Sequence, residues 1–355
     1  MSSRVILLVG LLLSSQVARA ELVPELAPSL TVSCDDFDLP SLVTAIERET
    51  AVLDKSGMTL PIGASQVRGA DYAAKTLRPL AAYAKAKDLT NLCGALQYNY
   101  EWRRVGPGHV TFTAYHTPTV KGSLTRDETY RFPLYRRPKD AGAKATTAQI
   151  LAGALDHKDL EIVWLADAYD ALALQVEGAG EIELPTGAKL ALGADGNNGQ
   201  PYQNVSKLLQ ADGRLPPGPA PATQQPGNPK ARAYFTAHPA ELNVYWGKNA
   251  HFVFFKKVDK AGGGKFGPLV AGRSVAVDTD RVPMGALLFV EVRRPVVENG
   301  AVTGWTPMSR VMMAQDTGAG IKGSRMDLFF GDDEYARVAA QTMTVQGDAW
   351  VLMAR

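Results

Sequence analysis

Residues 214–229 read RLPPGPAPATQQPGNP. Its six prolines fix φ and remove amide donors, so the stretch can form neither a helix nor a central strand. It reads as an exposed loop or linker at a domain edge. On either side of it the chain has strand texture. Residues 108–200 carry short apolar or alternating runs (HVTFTAYH, LEIVWLA, ALALQVEG, EIELP, AKLALG) broken by Gly, Pro and charged turns. After a short helical stretch around 230–242, the texture resumes in HFVFFKK, RSVAVD, ALLFVEVRRP and SRVMMAQD. That is the pattern of a β-barrel or sandwich.

The helices are expected at the margins. Leu42, Ile46 and Leu53 within 40–56, and Tyr72, Leu77, Leu80, Tyr83 and Ala84 within 64–88, recur at helical spacing, with Asp71 as a cap for the second. Residues 332–343 read as a late helix and 349–353 as a last strand. The fold class is therefore mainly β with helical decoration.

The first twenty residues, MSSRVILLVGLLLSSQVARA, have a basic start, an apolar run too short to span a bilayer, and a small-x-small site ending at Ala20. They predict a secretory leader, no lipid anchor (no cysteine lies at the junction) and a soluble, periplasmic or otherwise exported product. Removing the leader takes away Arg4 and Arg19 and no acid, so the 36 acidic residues face an equal number of basic ones. This balance argues against nucleic acid or an anionic membrane as a partner. The two cysteines, Cys34 and Cys93, are most simply a disulfide in an oxidising compartment, with two buried free thiols as the alternative.

Three aspartates fall at ends of expected strands: Asp278 after RSVAV, Asp316 after RVMMAQ, and Asp327 within RMDLFF. Asp316-Thr317-Gly318 raises the aspartic proteases, but their shared-proton dyad needs a second Asp-Ser/Thr-Gly, and the chain has none. Between Asp316 and Asp327 runs TGAGIKGSRM, whose three glycines let a loop bring its backbone close to a ligand. If the two aspartates bound neighbouring strands, both carboxylates would face one cleft. Apolar neighbours on both sides of Asp327 should raise its pKa, which suits a general acid. The five histidines have no HExxH or similar spacing, and there is no GxSxG elbow or P-loop, so no metal or cofactor is expected.

At these residues the chain resembles a known family. DTGAGIKGSRMDLFFG (316–331) is similar to the C-terminal signature of the MltA family of lytic transglycosylases (glycoside hydrolase family 102), which carries a 3D domain named for three aspartates. PLVAGRSVAVDTDRVPMG (268–285), KNAHFVFFK (248–256), LEIVWLADAYDALALQVEGAG (160–180), NGQPY (198–202), and TFTAYHTP (111–118) with FPLYRRP (132–138) resemble further family segments in order. Ala114, His116, Ala179 and Asp332-Asp333 depart from the family pattern.

The resemblance implies a double-psi β-barrel from residues 21–117 and 230–355, with the 3D domain in about 268–355. A second β-barrel, 118–229, would be inserted, with glycan lying between the two. It also implies cleavage of the β-1,4 bond between N-acetylmuramic acid and N-acetylglucosamine in peptidoglycan, giving 1,6-anhydro ends. Asp327 would be the acid and then the base, Asp316 its support and Asp278 a structural residue. Tyr115, Gln175, Tyr202, Gly318, Lys322 and Arg325 are the candidate substrate contacts. A non-catalytic wall-binding protein of the same fold is the alternative, and an aspartic protease a distant third.

Overall fold

The computed structural model describes residues 22–26, 28, 30, 34–216, 227–264, 266–318 and 320–355. The expected leader and most of the proline-rich loop lie outside them.

Six strands close on themselves. In ring order they are Val110–Tyr115, Arg325–Phe329, Ser274–Val277, Ala301–Asp316, Leu287–Glu298 and Thr344–Ala354, and the last pairs back onto the first. Two of these contacts are parallel, Arg325–Phe329 on Val110–Tyr115 and Ser274–Val277 on Ala301–Asp316, although each partner is remote in sequence. This is the double-psi arrangement. Closure removes the barrel's edges, and alternate residues of each strand fill its interior, among them Phe112, Val275, Phe289, Val311 and Leu328. The outer strands Tyr100–Arg104 and Val23–Glu25 extend the sheet from Thr344–Ala354.

Helices cover one side of the barrel. Leu39–Ser56 starts at Asp38, whose side chain accepts from Ser41 N, and stops at Gly57 with φ 64°. Its buried residues include Leu42, Ile46 and Leu53, the face expected from the periodicity. The second expected helix begins later than 64. Residues Thr59–Ile62 and Ser65–Arg68 form a hairpin, and helix runs from Gly69 through a π turn to Lys85. Asp71 therefore lies inside the first turn rather than capping it. Its apolar spacing still holds, because the same face packs into the shared core, chiefly against helices Leu39–Ser56 and Leu89–Asn99. Cys34 and Cys93 are disulfide-bonded with Cα atoms 5.6 Å apart, fixing the N-terminal arm to helix Leu89–Asn99. Beside this tie, fully buried Arg273 pairs with Asp35 through both guanidinium Nη atoms, at 2.5 and 2.9 Å.

The inserted body has its own core. A six-stranded sheet runs in the order Val253–Lys257, Lys189–Asn197, Ala179–Glu183, Thr119–Ser123, Glu161–Leu165, Phe132–Tyr135, and its two edge strands approach one another. Two sequence expectations need correction here. ALALQVEG is not a strand but most of helix Ala168–Glu177, capped by Asp167 and closed by Gly178 at φ 69°. It is apolar nearly all round because it is buried nearly all round, with Ala171 to Gln175 all covered. The insert also continues beyond 229. Helices Pro229–Ala237 and Pro239–Lys248 and strand Val253–Lys257 pack Phe235, Trp246, Phe252, Phe254 and Phe255 into its core. The chain leaves the barrel after Tyr115 and returns after Lys257.

Candidate active site

The barrel and the insert meet across a groove with a cavity of about 430 Å³. Barrel residues Tyr115, Asp316, Gly318, Arg325 and Asp327 line one side, and Glu177, Tyr202 and His251 of the insert line the other. The parallel and antiparallel pairings put the aspartates together. Ala276 is the register partner of both Asp316 and Asp327, on opposite sides of the short strand Ser274–Val277. Asp327 also pairs with Thr113 on its other flank.

Those neighbours set the chemistry. Thr113 Oγ1 donates to Asp327 Oδ1 at 2.6 Å, and Arg325 Nη2 donates to the same Thr113 oxygen at 3.2 Å. Tyr115 Oη donates to Asp316 Oδ2 at 2.8 Å, while Thr317 N donates to Asp316 Oδ1 at 2.9 Å. Burial pushes the Asp327 carboxyl up to about 6; the Thr113 bond and Arg325 oppose the rise and Asp316 adds to it. Asp316 is also raised by burial, but its two hydrogen bonds hold it back. The two carboxyls thus differ in environment, one poorly and one well supplied with donors.

The remaining candidates separate. Tyr202, Gly318 and Arg325 line the groove, and Tyr202 meets the His251 ring edge-on at 5.9 Å. The Tyr115 ring packs against Phe329 at 5.2 Å, and its hydroxyl is committed to Asp316. Gln175 borders the cavity, but its amide is not available to sugar hydroxyls. Nε2 donates to Val253 O at 3.0 Å and Oε1 accepts from Val253 N at 2.6 Å, so it ties helix to strand within the insert. Asp278 accepts from Gly323 N at 2.7 Å and from Asp280 N at 3.2 Å, pinning the glycine-rich loop. Lys322 is exposed, with Nζ 3.8 Å from Asp278 Oδ1 rather than in the groove.

Three groove residues escaped the sequence reading of roles. Thr113 sat in TFTAYH, where the alternating pattern already placed it on one face with Tyr115. Glu177 sat in a segment mistaken for a strand. His116 is buried beside the groove, its Nδ1 without a hydrogen-bond partner among the described residues, and burial pushes it down to about 4. Among the described residues no cluster of three His, Cys, Asp or Glu side chains could hold a metal ion. No described helix is long and apolar enough to cross a membrane.

Comparison with known proteins places this architecture. Residues 111–256 match the MltA specific insert domain and residues 273–353 the 3D domain. The chain is 31% identical over 249 residues to membrane-bound lytic murein transglycosylase A of Escherichia coli K12, covering 69% of this chain and 66% of that protein. The crystal structure of E. coli MltA with bound chitohexaose superposes with a TM-score of 0.73 at 25% identity, covering 94% of each chain. The lytic transglycosylase LtgG of Burkholderia pseudomallei gives 0.57 at 29% identity, covering 96% of this chain and 97% of that one. With both domain models matched in order, together over more than half of the chain, the protein belongs to the MltA family.

Proposed function

We propose that the protein is an exported lytic transglycosylase of peptidoglycan. In this reading it cleaves the β-1,4 bond between N-acetylmuramic acid and N-acetylglucosamine without water. The observation that carries the reading is the Asp327 carboxyl, pushed up to about 6 on the wall of a groove between two bodies. The relatives named above lend their activity to it, and the bound chitohexaose of E. coli MltA lends the groove as a glycan site.

Protonated Asp327 donates to the glycosidic oxygen as the C1–O4 bond breaks and positive charge grows at C1. The sugar's own O6 then forms the new bond to C1, and the Asp327 carboxylate takes the O6 proton. Ordinary glycosidases divide this work between two carboxylates, one as acid and one as nucleophile or base. Here the nucleophile is tethered within the substrate, and proximity replaces the second group. Asp316 accepts from Tyr115 and Thr317, and in its ionised form supports both the raised pKa of its neighbour and the charge at C1. Tyr202, Gly318 and Arg325 are the substrate contacts in this scheme. Asp278 and Lys322 shape the loop between the aspartates.

Digestion of isolated sacculi, followed by mass analysis of the muropeptides, tests the reading. Anhydro-muramic ends are the expected product. Reducing ends would make the enzyme a hydrolase, and intact sacculi that retain the protein would make it a wall-binding module.

A further inference from the structure

Glu177 stands apart from the other groove carboxyls because it comes from the opposite wall. It is the last residue of helix Ala168–Glu177, half-buried, and it lines both cavities along the groove, of about 430 and 470 Å³. Its carboxyl makes no hydrogen bond or ion pair with a described residue, whereas Asp316 has Tyr115 and Thr317 and Asp327 has Thr113. A desolvated carboxyl with another carboxyl, Asp327, close enough to act on it is most stable as the neutral acid. In that form it is a hydrogen-bond donor.

We propose that Glu177 is a specificity-determining residue that, as a neutral acid, donates a hydrogen bond from the insert to an acetamido carbonyl of the glycan opposite Asp327. This rests on the glycan reading above. Each N-acetylated sugar of such a strand repeats that carbonyl acceptor, and the aspartates across the groove already have acceptor roles or a proton to spend elsewhere. Burial first, and then the Asp327 carboxylate, push Glu177 up to about 8. The C-terminal end of its own helix adds negative partial charge in the same sense. Ionisation would turn the donor into an acceptor facing the carbonyl, so the contact is lost as pH rises.

The surrounding groups leave Glu177 as the source of that alkaline loss. From the barrel, Asp327, Asp316 and Arg325 face the groove, and burial holds His116 down at about 4 and Tyr115 well above the ordinary tyrosine value. From the insert, Tyr169 and Tyr202 are likewise raised by burial. His251 shares the first cavity, and Lys207 and Lys230 the second. A substitution at 177 leaves all three in place, so any pH dependence that survives it does not come from Glu177.

The test is calorimetric binding of chitohexaose from pH 6 to 9 in the Asp327→Asn background, where turnover is slowed by about 10²-fold or more. The parent should lose affinity on the alkaline side, approaching tenfold per pH unit beyond the Glu177 titration. Removing the Asp327 charge should bring that loss to a lower pH than the Glu177 value of about 8 in the intact protein. Adding Glu177→Gln, which keeps a donor and cannot ionise, should flatten the profile while retaining the pH 6 affinity within a few-fold. Adding Glu177→Leu should weaken binding about tenfold or more at pH 6 and remove the alkaline loss, so that parent and Leu variant converge at high pH. A flat profile in the parent, the same alkaline loss in the Gln variant, or Leu binding as tightly as Glu at pH 6 would each overturn the proposal. If the parent fails to bind at pH 6 and the wild type yields no product from sacculi, the glycan reading falls and takes this proposal with it. Anhydro products from sacculi alongside any of the overturning profiles would sink the role of Glu177 alone.

Discussion

Gln315 and Asp316 are consecutive residues of one strand, and they serve opposite sides of it, as the period of two requires. Gln315 points into the protein, where Ser274 Oγ donates to its Oε1 at 2.6 Å and its Nε2 donates to Glu49 Oε2 at 2.9 Å. Asp316 points into the groove beside Asp327. Each side therefore has a carboxyl raised by burial, Glu49 to about 8 and Asp327 to about 6. Glu49 is the more perturbed of the two, yet it is fully buried and lines neither cavity of the groove. A raised pKa reports desolvation; a site also needs an opening through which a reacting atom can approach. That difference is why the proposed mechanism uses the groove cluster and leaves the interior cluster to the fold.

Substitutions should expose the contrast. The largest effect expected is on activity. Asp327→Asn should reduce lysis of sacculi by about 10²- to 10⁴-fold with the melting temperature nearly kept, because only the transferable proton is lost. Glu49→Gln should do the reverse, leaving lysis within a few-fold while changing how stability depends on pH. Glu49 rises from 4.5 unfolded to about 8 folded, so the native state binds a proton that the unfolded state has released. Its contribution is thus fully present below about 4.5 and is lost as pH rises through 8, at up to about 1.4 kcal/mol per pH unit. Urea unfolding of wild type and Glu49→Gln from pH 5 to 9 should show that slope in the wild type and a shallower one in the variant. Parallel slopes would remove Glu49 from the account.

Much of the site could be read locally, and what could not be read depended on distant partners. Asp316 and Asp327 stood at strand ends around a glycine-rich loop, and a short loop between two strands is enough to bring their carboxyls near one cleft. Helix Leu39–Ser56 was legible because one face is apolar and the other polar. Helix Ala168–Glu177 was not, since burial on nearly all sides erases the period, although Asp167 and Gly178 marked both its ends. Hiding that helix also hid Glu177. The border at 229 was misplaced because prolines report local backbone stiffness. The membership of Phe252, Phe254 and Phe255 is decided instead by pairing with strand Lys189–Asn197, some sixty residues earlier. Gln175 was misjudged for a similar reason, its amide being taken by Val253, 78 residues away.

The central claim is that Asp327 holds its proton near neutrality. Titration of ¹³C-labelled aspartate carboxyls by NMR, with the Asp327 resonance identified by its absence from Asp327→Asn, measures this directly. The account predicts a midpoint near 6, coincident with the alkaline fall of kcat/KM on sacculi. It also predicts a higher midpoint in Thr113→Val, where the hydrogen bond that opposes the rise is gone. A midpoint in the ordinary aspartate range near 4, with activity undiminished through pH 7, would contradict it.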